Sequence, residues 1–191
     1  MTSTFHPSAP GPAPTSRTTG TGYDPQAYRD GLSSMVTSVC VVTTEVDGKQ
    51  YGFTANSVTS VSMDPPLISV CLADTADVHP AFSQAESVAV NVLAADQSPV
   101  AMAFASPGVD RFAAAHFSPG KLGPPLLDSA TVSLEGIVHQ RLTAGDHTII
   151  LIEVAGVVVG GGEPLTYQGR RFHTLNPLEP STPRPAGKNP S

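Results

Sequence analysis

Seven short runs rich in Val, Ile, Thr and aromatic residues recur along the chain, at 39–44, 51–54, 67–72, 87–93, 131–141, 148–159 and 165–172. Branching at Cβ and flat rings suit a pleated, half-buried surface, and Gly, Asp or Pro brackets several of the runs, so each reads as a strand. Asp47-Gly48 separates the first two runs. That pair is a hairpin signal, because glycine enters the positive-φ region without a Cβ clash. Helical segments are fewer. They are expected at 24–33, with Asp24 as cap and Pro25 at the first helical position, at 79–85, and at 98–105, where Pro99 follows Ser98. The regular strand–helix–strand spacing of a doubly wound sheet is missing. The expectation is a mainly β barrel with a few short helices.

The two ends differ from this middle. Pro7, Pro10, Pro12, Pro14 and Pro25 crowd the start, and Pro177, Pro180, Pro183, Pro185 and Pro190 crowd the finish. Neither end shows apolar periodicity. One folded domain is expected at 23–175, between disordered tails at 1–22 and 176–191. The net charge is −6, and ten Lys and Arg residues scattered along the chain supply no basic stripe for nucleic acid. The apolar run at 148–159 is broken by Glu153 and too short to span a bilayer. The first 22 residues, rich in Pro, Ser, Thr and Gly, do not read as a secretory signal. A cytoplasmic protein without membrane attachment is expected. Cys40 and Cys71 lie in apolar strand-like runs, where buried free thiols are expected rather than a disulfide framework or a metal knuckle.

Familiar catalytic signatures are missing. The sequence has no G-x-S-x-G elbow, no H-E-x-x-H helix and no phosphate loop. Gly160-Gly161-Gly162 precedes Glu163-Pro164 and a strand, so it reads as a turn rather than a pyrophosphate cradle. The six histidines show no metal-ligand spacing, and no metal is expected. One segment stands out, the run Gly52-Phe53-Thr54-Ala55-Asn56-Ser57-Val58-Thr59-Ser60-Val61-Ser62 directly after a strand. It reads either as a solvated Ser/Thr loop or as a ligand floor. Small residues let a flat ligand approach the backbone, and Thr, Asn and Ser offer donors to carbonyl and phosphate oxygens.

The order of the remaining motifs favours the second reading. After 35–44 and the 52–62 segment come Asp64-Pro65-Pro66 with the 67–72 strand, Val88-Ala89-Val90-Asn91-Val92-Leu93, Arg111-Phe112, Gly145-Asp146-His147 and Tyr167-Gln168-Gly169-Arg170-Arg171-Phe172. In this register the chain resembles the flavin reductase-like family, small NAD(P)H:flavin oxidoreductases that serve two-component monooxygenases, over residues 28–173. The resemblance implies an FMN-binding split barrel, a six-stranded antiparallel Greek-key barrel that forms homodimers. It implies FMN or FAD as flavin, NADH or NADPH as electron donor, and a separate flavin-dependent monooxygenase that receives the reduced flavin.

The resemblance also assigns residues. Thr54, Ala55, Asn56 and Ser57 line the flavin; Cys71, Leu72, Ala73 and Thr75 lie beside its ribityl-phosphate. Asn91 sits on a strand that approaches the isoalloxazine, and Arg111-Phe112 lie close to the flavin, where a guanidinium suits a phosphate. His147 is the expected catalytic residue, orienting the nicotinamide, with Tyr167 and Arg170 holding the dinucleotide. Each has a plainer reading too: a turn histidine, a strand-capping Asn91, an exposed β-edge for Tyr167, Arg170 and Arg171. Where many relatives carry Ser and basic residues, this chain has Asp74-Thr75-Ala76-Asp77. Carboxylates facing a phosphate weaken its retention, which suits a flavin that binds and leaves. Two other readings are a fixed FMN that reduces ferric iron or a quinone, and a flavin- or haem-binding carrier or sensor module without reductase activity.

Overall fold

The structure, a computed structural model, describes residues 22–176. Apart from residues 22 and 176, the two expected tails lie outside the described residues. The domain opens with helix α1 (Pro25–Ser33), where the Asp24 carboxylate accepts the Gln26 amide at 2.8 Å and Pro25 starts the first turn. Strands β1 (Thr37–Ser38), β2 (Cys40–Val46), β3 (Lys49–Ala55), β4 (Thr59–Met63) and β5 (Pro66–Ala73) follow, then α2 (His79–Gln84), β6 (Ser87–Val92) and α3 (Ser98–Ala105). After a short 3₁₀ turn come β7 (Phe117–Pro119), β8 (Pro125–Leu127), the long pair β9 (Val132–Ala144) and β10 (His147–Val159), and finally β11 (Thr166–Gln168) and β12 (Arg171–His173).

The main sheet is antiparallel, in the order β3-β2-β6-β9-β10-β5-β4. It curls until β3, at one end, approaches β5 near the other, so six long strands enclose a barrel with β4 added at the edge. Every strand run expected from the sequence is found, with two refinements. The 59–63 stretch, read as part of a Ser/Thr loop, pairs with β5, because pairing satisfies its backbone even though four of its five residues are exposed. The 165–172 run is a hairpin, turned at Gly169 and Arg170 with φ of 56° and 62°. Asp47 and Gly48 make the anticipated β2–β3 turn at φ of 52° and 72°.

Alternation along β2 explains two cores. Cys40 and Val42 point into the barrel with Val70, Leu72, Phe82, Val90, Ile150 and Ile152. Val39 and Val41 point outward, beneath α3, with Leu93, Phe104, Leu127 and Leu165. A strand covered on both faces reads as a continuous apolar run, as this one does. Each fully buried Val, Leu, Ile or Phe contributes about 1.5–3 kcal/mol. Burial pushes the Cys40 thiol up to about 12, so it remains a packing group and not a nucleophile. Among the described residues no helix is long and apolar enough to cross a membrane.

Candidate functional site

Four separated segments converge on one open cavity of 550 Å³ at the end of the barrel between β3 and β5. Thr54, Ala55, Asn56 and Ser57 come from the end of β3 and the turn after it. Cys71, Leu72, Ala73, Thr75, Ala76 and Asp77 come from the end of β5 and the loop beyond. Arg111 comes from the loop before the 3₁₀ turn, and His147 begins β10. Period-two alternation on β5 sends Val70 and Leu72 into the core and leaves Cys71 and Ala73 on the opposite face. Cys71 is therefore only half buried, unlike the fully buried thiol expected.

Hydrogen bonds show how this floor is built. The Thr54 hydroxyl donates to the Ala101 carbonyl at 2.6 Å, pinning β3 to α3. The Ser57 hydroxyl accepts the Cys71 amide at 3.0 Å and lies 3.4 Å from the Cys71 carbonyl, which fastens the turn to β5. Both hydroxyls are thus spent on architecture. Asn56 and Ser57 lie beyond the last ladder pair, Cys40 with Ala55, so the sheet does not consume their amides. Gly52 permits the close approach of α3, since a Cβ there would lie 2.6 Å from the Phe104 ring. Neither Phe104 nor Ala105 and Pro107, which also line the cavity, carried a signal in the sequence.

The charged groups are arranged in pairs. Arg111 Nη2 lies 2.8 and 3.0 Å from the two oxygens of Asp77, and the same guanidinium donates to the carbonyls of Gly52 and Ser106. Asp74, the other carboxylate of that loop, accepts the Thr148 hydroxyl at 2.9 Å and sits 3.3 Å from His79 Nε2. It does not line the cavity. The backbone of Asp74 donates to the Asp146 carbonyl, and Ala73 is the register partner of His147, which sets the histidine at the rim. Nδ1 of His147 is 2.7 Å from Asp146 Oδ1, leaving Nε2 as the ring nitrogen available to a ligand. The hydrogen bond from His147 holds the Asp146 carboxyl below the usual carboxylate range.

Two of the expected flavin residues lie elsewhere. Asn91 is fully buried near the C-terminal end of β6, and its side-chain amide is saturated. Nδ2 donates to the Val41 carbonyl and Thr43 hydroxyl, and Oδ1 accepts from the Leu127 amide and Ser133 hydroxyl. The barrel wall uses it completely, which leaves its side chain no free donor or acceptor for a ligand. Phe112 packs edge-on against Phe104 and Phe117 in the outer core, and does not line the cavity. Tyr167 and Arg170 line a neighbouring cavity of 440 Å³ that shares Thr54, Asn56 and Ala105 with the first. Arg170 is held there by Asp30 of α1 at 2.7 Å.

Apolar and small side chains on the walls, free turn amides and one anchored guanidinium form a donor set that fits a flat heteroaromatic ring carrying a phosphorylated chain. The comparisons agree with that chemistry. Residues 32–176 match the flavin reductase like domain. The chain is 40% identical to the actinorhodin polyketide dimerase of Streptomyces coelicolor over 86% of its length and 94% of that protein's. A solved structure of the NADH:FAD oxidoreductase of Streptomyces globisporus, in complex with NAD and FAD fragments, superposes with a TM-score of 0.76 at 35% identity, covering 81% of this chain and 94% of that one. The flavin reductase component of a bacterial two-component tryptophan halogenase superposes with a TM-score of 0.75 at 34% identity, covering 81% of this chain and all of that one.

Proposed function

The chain belongs to the flavin reductase like family, and on that premise we propose that its 550 Å³ cavity is where a flavin meets a reduced nicotinamide. The protein is an NAD(P)H-dependent flavin reductase that uses FMN or FAD. The observation that carries the site assignment is the convergence of 54–57, 71–77, Arg111 and His147 on a single cavity from four distant parts of the sequence. With both cofactors bound, hydride passes from nicotinamide C4 to flavin N5, chemistry that the cofactors supply.

The protein's own contribution is alignment and polarity. Small side chains at Ala55, Ala73 and Ala76 let a ring lie against the backbone, and the amides of Asn56 and Ser57 face negative charge growing on it. His147, its Nδ1 fixed by Asp146, presents Nε2 to the nicotinamide amide and orients it; no proton shuttle is required. Tyr167 and Arg170 in the adjoining cavity hold the remainder of the dinucleotide. The carrier or sensor reading and the fixed-FMN reading both lack the support that the oxidoreductase relatives give to the reductase.

Reduced flavin leaves for a separate oxygenase. The halogenase reductase component supports this reading, as does the half-exposed rim of His147. A homodimer is supported by a run of exposed apolar side chains at the end of β10, Val157, Val158 and Val159, the last 74% exposed. Light scattering on the purified full chain gives the mass of two chains, and a single Val159→Asp substitution moves it toward one.

The test of function is direct. NADH oxidation by the purified protein saturates with added free flavin, and the protein loses its colour on dialysis. A flavin-binding protein that oxidises neither NADH nor NADPH returns the reading to a carrier. Asn56→Leu replaces a polar side chain of the cavity lining with an apolar one and weakens flavin binding by about 1–2 kcal/mol; an unaltered flavin titration leaves the Asn56 side chain out of the flavin contact.

A further inference from the structure

Among the described residues, Arg111 is the only Arg or Lys in the lining of the flavin cavity, and it is already paired. Both oxygens of Asp77 reach the same nitrogen, Nη2, at 2.8 and 3.0 Å. The two partners differ in freedom. The Arg111 side chain is 13% exposed and is fixed by backbone carbonyls, with Nη1 on Gly52 at 3.2 Å and Nε on Ser106 at 3.3 Å. The Asp77 side chain is 56% exposed, and among the described residues Arg111 is its only hydrogen-bond partner. Arg111 therefore keeps its place if Asp77 departs. A second cavity of 380 Å³, lined by Lys49, Tyr51, Asp77 and Arg111, adjoins the pair and gives a displaced carboxylate room.

Resting on the flavin assignment above, we propose that Asp77 sets flavin affinity by competing with the flavin phosphate for Arg111 Nη2. Each incoming phosphorylated flavin displaces the carboxylate, and the carboxylate's return expels it. A guanidinium that faced the cavity unpaired would hold a dianionic phosphate by a charge-assisted contact and retain the flavin. Covered by a tethered carboxylate, it offers the same phosphate only an exchange of one anion for another. Asp74 has no such role, because Thr148 and His79 hold it outside the lining.

The experiment is a set of equilibrium titrations, read by flavin fluorescence, of the full chain with FMN, FAD and riboflavin. Asp77→Asn removes the competing charge and keeps the side chain's size. The Kd for FMN falls at least about tenfold, a typical gain for one charge-assisted contact, while riboflavin, which has no phosphate, changes less than twofold. An FAD gain equal to that of FMN identifies any flavin phosphate as the competitor; a gain for FMN alone identifies the monoester. Arg111→Met, measured in parallel, abolishes the advantage of FMN over riboflavin. Parallel shifts for FMN and riboflavin in Asp77→Asn overturn the proposal, as does an FMN advantage that survives in Arg111→Met. If Asp77→Asn shows no cooperative thermal transition, Asp77→Ser is titrated against the same criteria. Failure of the parent chain to bind any flavin overturns the site assignment itself.

Discussion

Replacing Asn91 by Leu lowers the unfolding free energy by about 3–5 kcal/mol, while the folded fraction binds flavin as the parent does. The expected size follows from what the amide holds together. Asn91 lies near the C-terminal end of β6, with β2 and β9 on its two sides, at Val41 and Ser133 in register. Its Nδ2 reaches the Val41 carbonyl at 3.1 Å and its Oδ1 reaches the Leu127 amide at 3.0 Å and the Ser133 hydroxyl at 2.7 Å. Leu fits the volume but strands the buried Leu127 amide and the Ser133 hydroxyl without an acceptor. Unsatisfied buried groups cost about 1–3 kcal/mol each, more than the lost bonds themselves. Urea unfolding followed by circular dichroism measures the loss, and flavin titration below the transition measures the rest. A tenfold loss of flavin affinity in the folded protein would return Asn91 to the binding site.

Asn91 also shows where a linear sequence stops being informative. Its place in an apolar strand was legible, because Val88, Val90 and Val92 alternate with it. The direction of its side chain was not, because β6 is covered on both faces and alternation does not say which face holds the ligand. Phe112 failed for a related reason: it adjoins a cavity residue in sequence, but the 3₁₀ turn sends its ring into the outer core. The barrel's long strands and the three α-helices of the described residues were readable, since Val-rich runs, Asp24-Pro25 and Asp47-Gly48 are local signals. The Thr54–Ser57 turn, expected as a ligand floor, lines the cavity, but its details were not readable, as the two hydroxyls that looked like donors fasten α3 and β5 instead. Phe104, Ala105 and Pro107 enter the site only because α3 crosses Gly52, a contact between segments about fifty residues apart. The carboxylates at 74 and 77 looked alike in sequence, and only tertiary pairing separates a structural Asp74 from an Asp77 that faces the cavity.

His147→Ala lowers kcat/KM for the nicotinamide donor by about 30–100-fold, equivalent to about 2–3 kcal/mol of lost transition-state stabilisation. The Kd for flavin changes less than twofold. The asymmetry comes from position. His147 stands across the β5–β10 ladder from Ala73, at the rim of the cavity and not on the floor formed by 54–57. Its side chain is 43% exposed, so its removal leaves no void in the core. What is lost is an oriented donor or acceptor at Nε2, whose direction depends on the 2.7 Å contact between Nδ1 and Asp146. Asp146→Ala accordingly has the same sign and a smaller size, because the ring remains and only its alignment is released. His147→Gln restores part of the rate by supplying an amide at similar reach. Steady-state kinetics with the donor varied at saturating flavin, then the flavin varied at saturating donor, separate the two sites. Equal, small changes in both series would show that His147 is a turn residue with no part in aligning the donor, and the nicotinamide would then have to be placed against the Tyr167 and Arg170 side of the adjoining cavity.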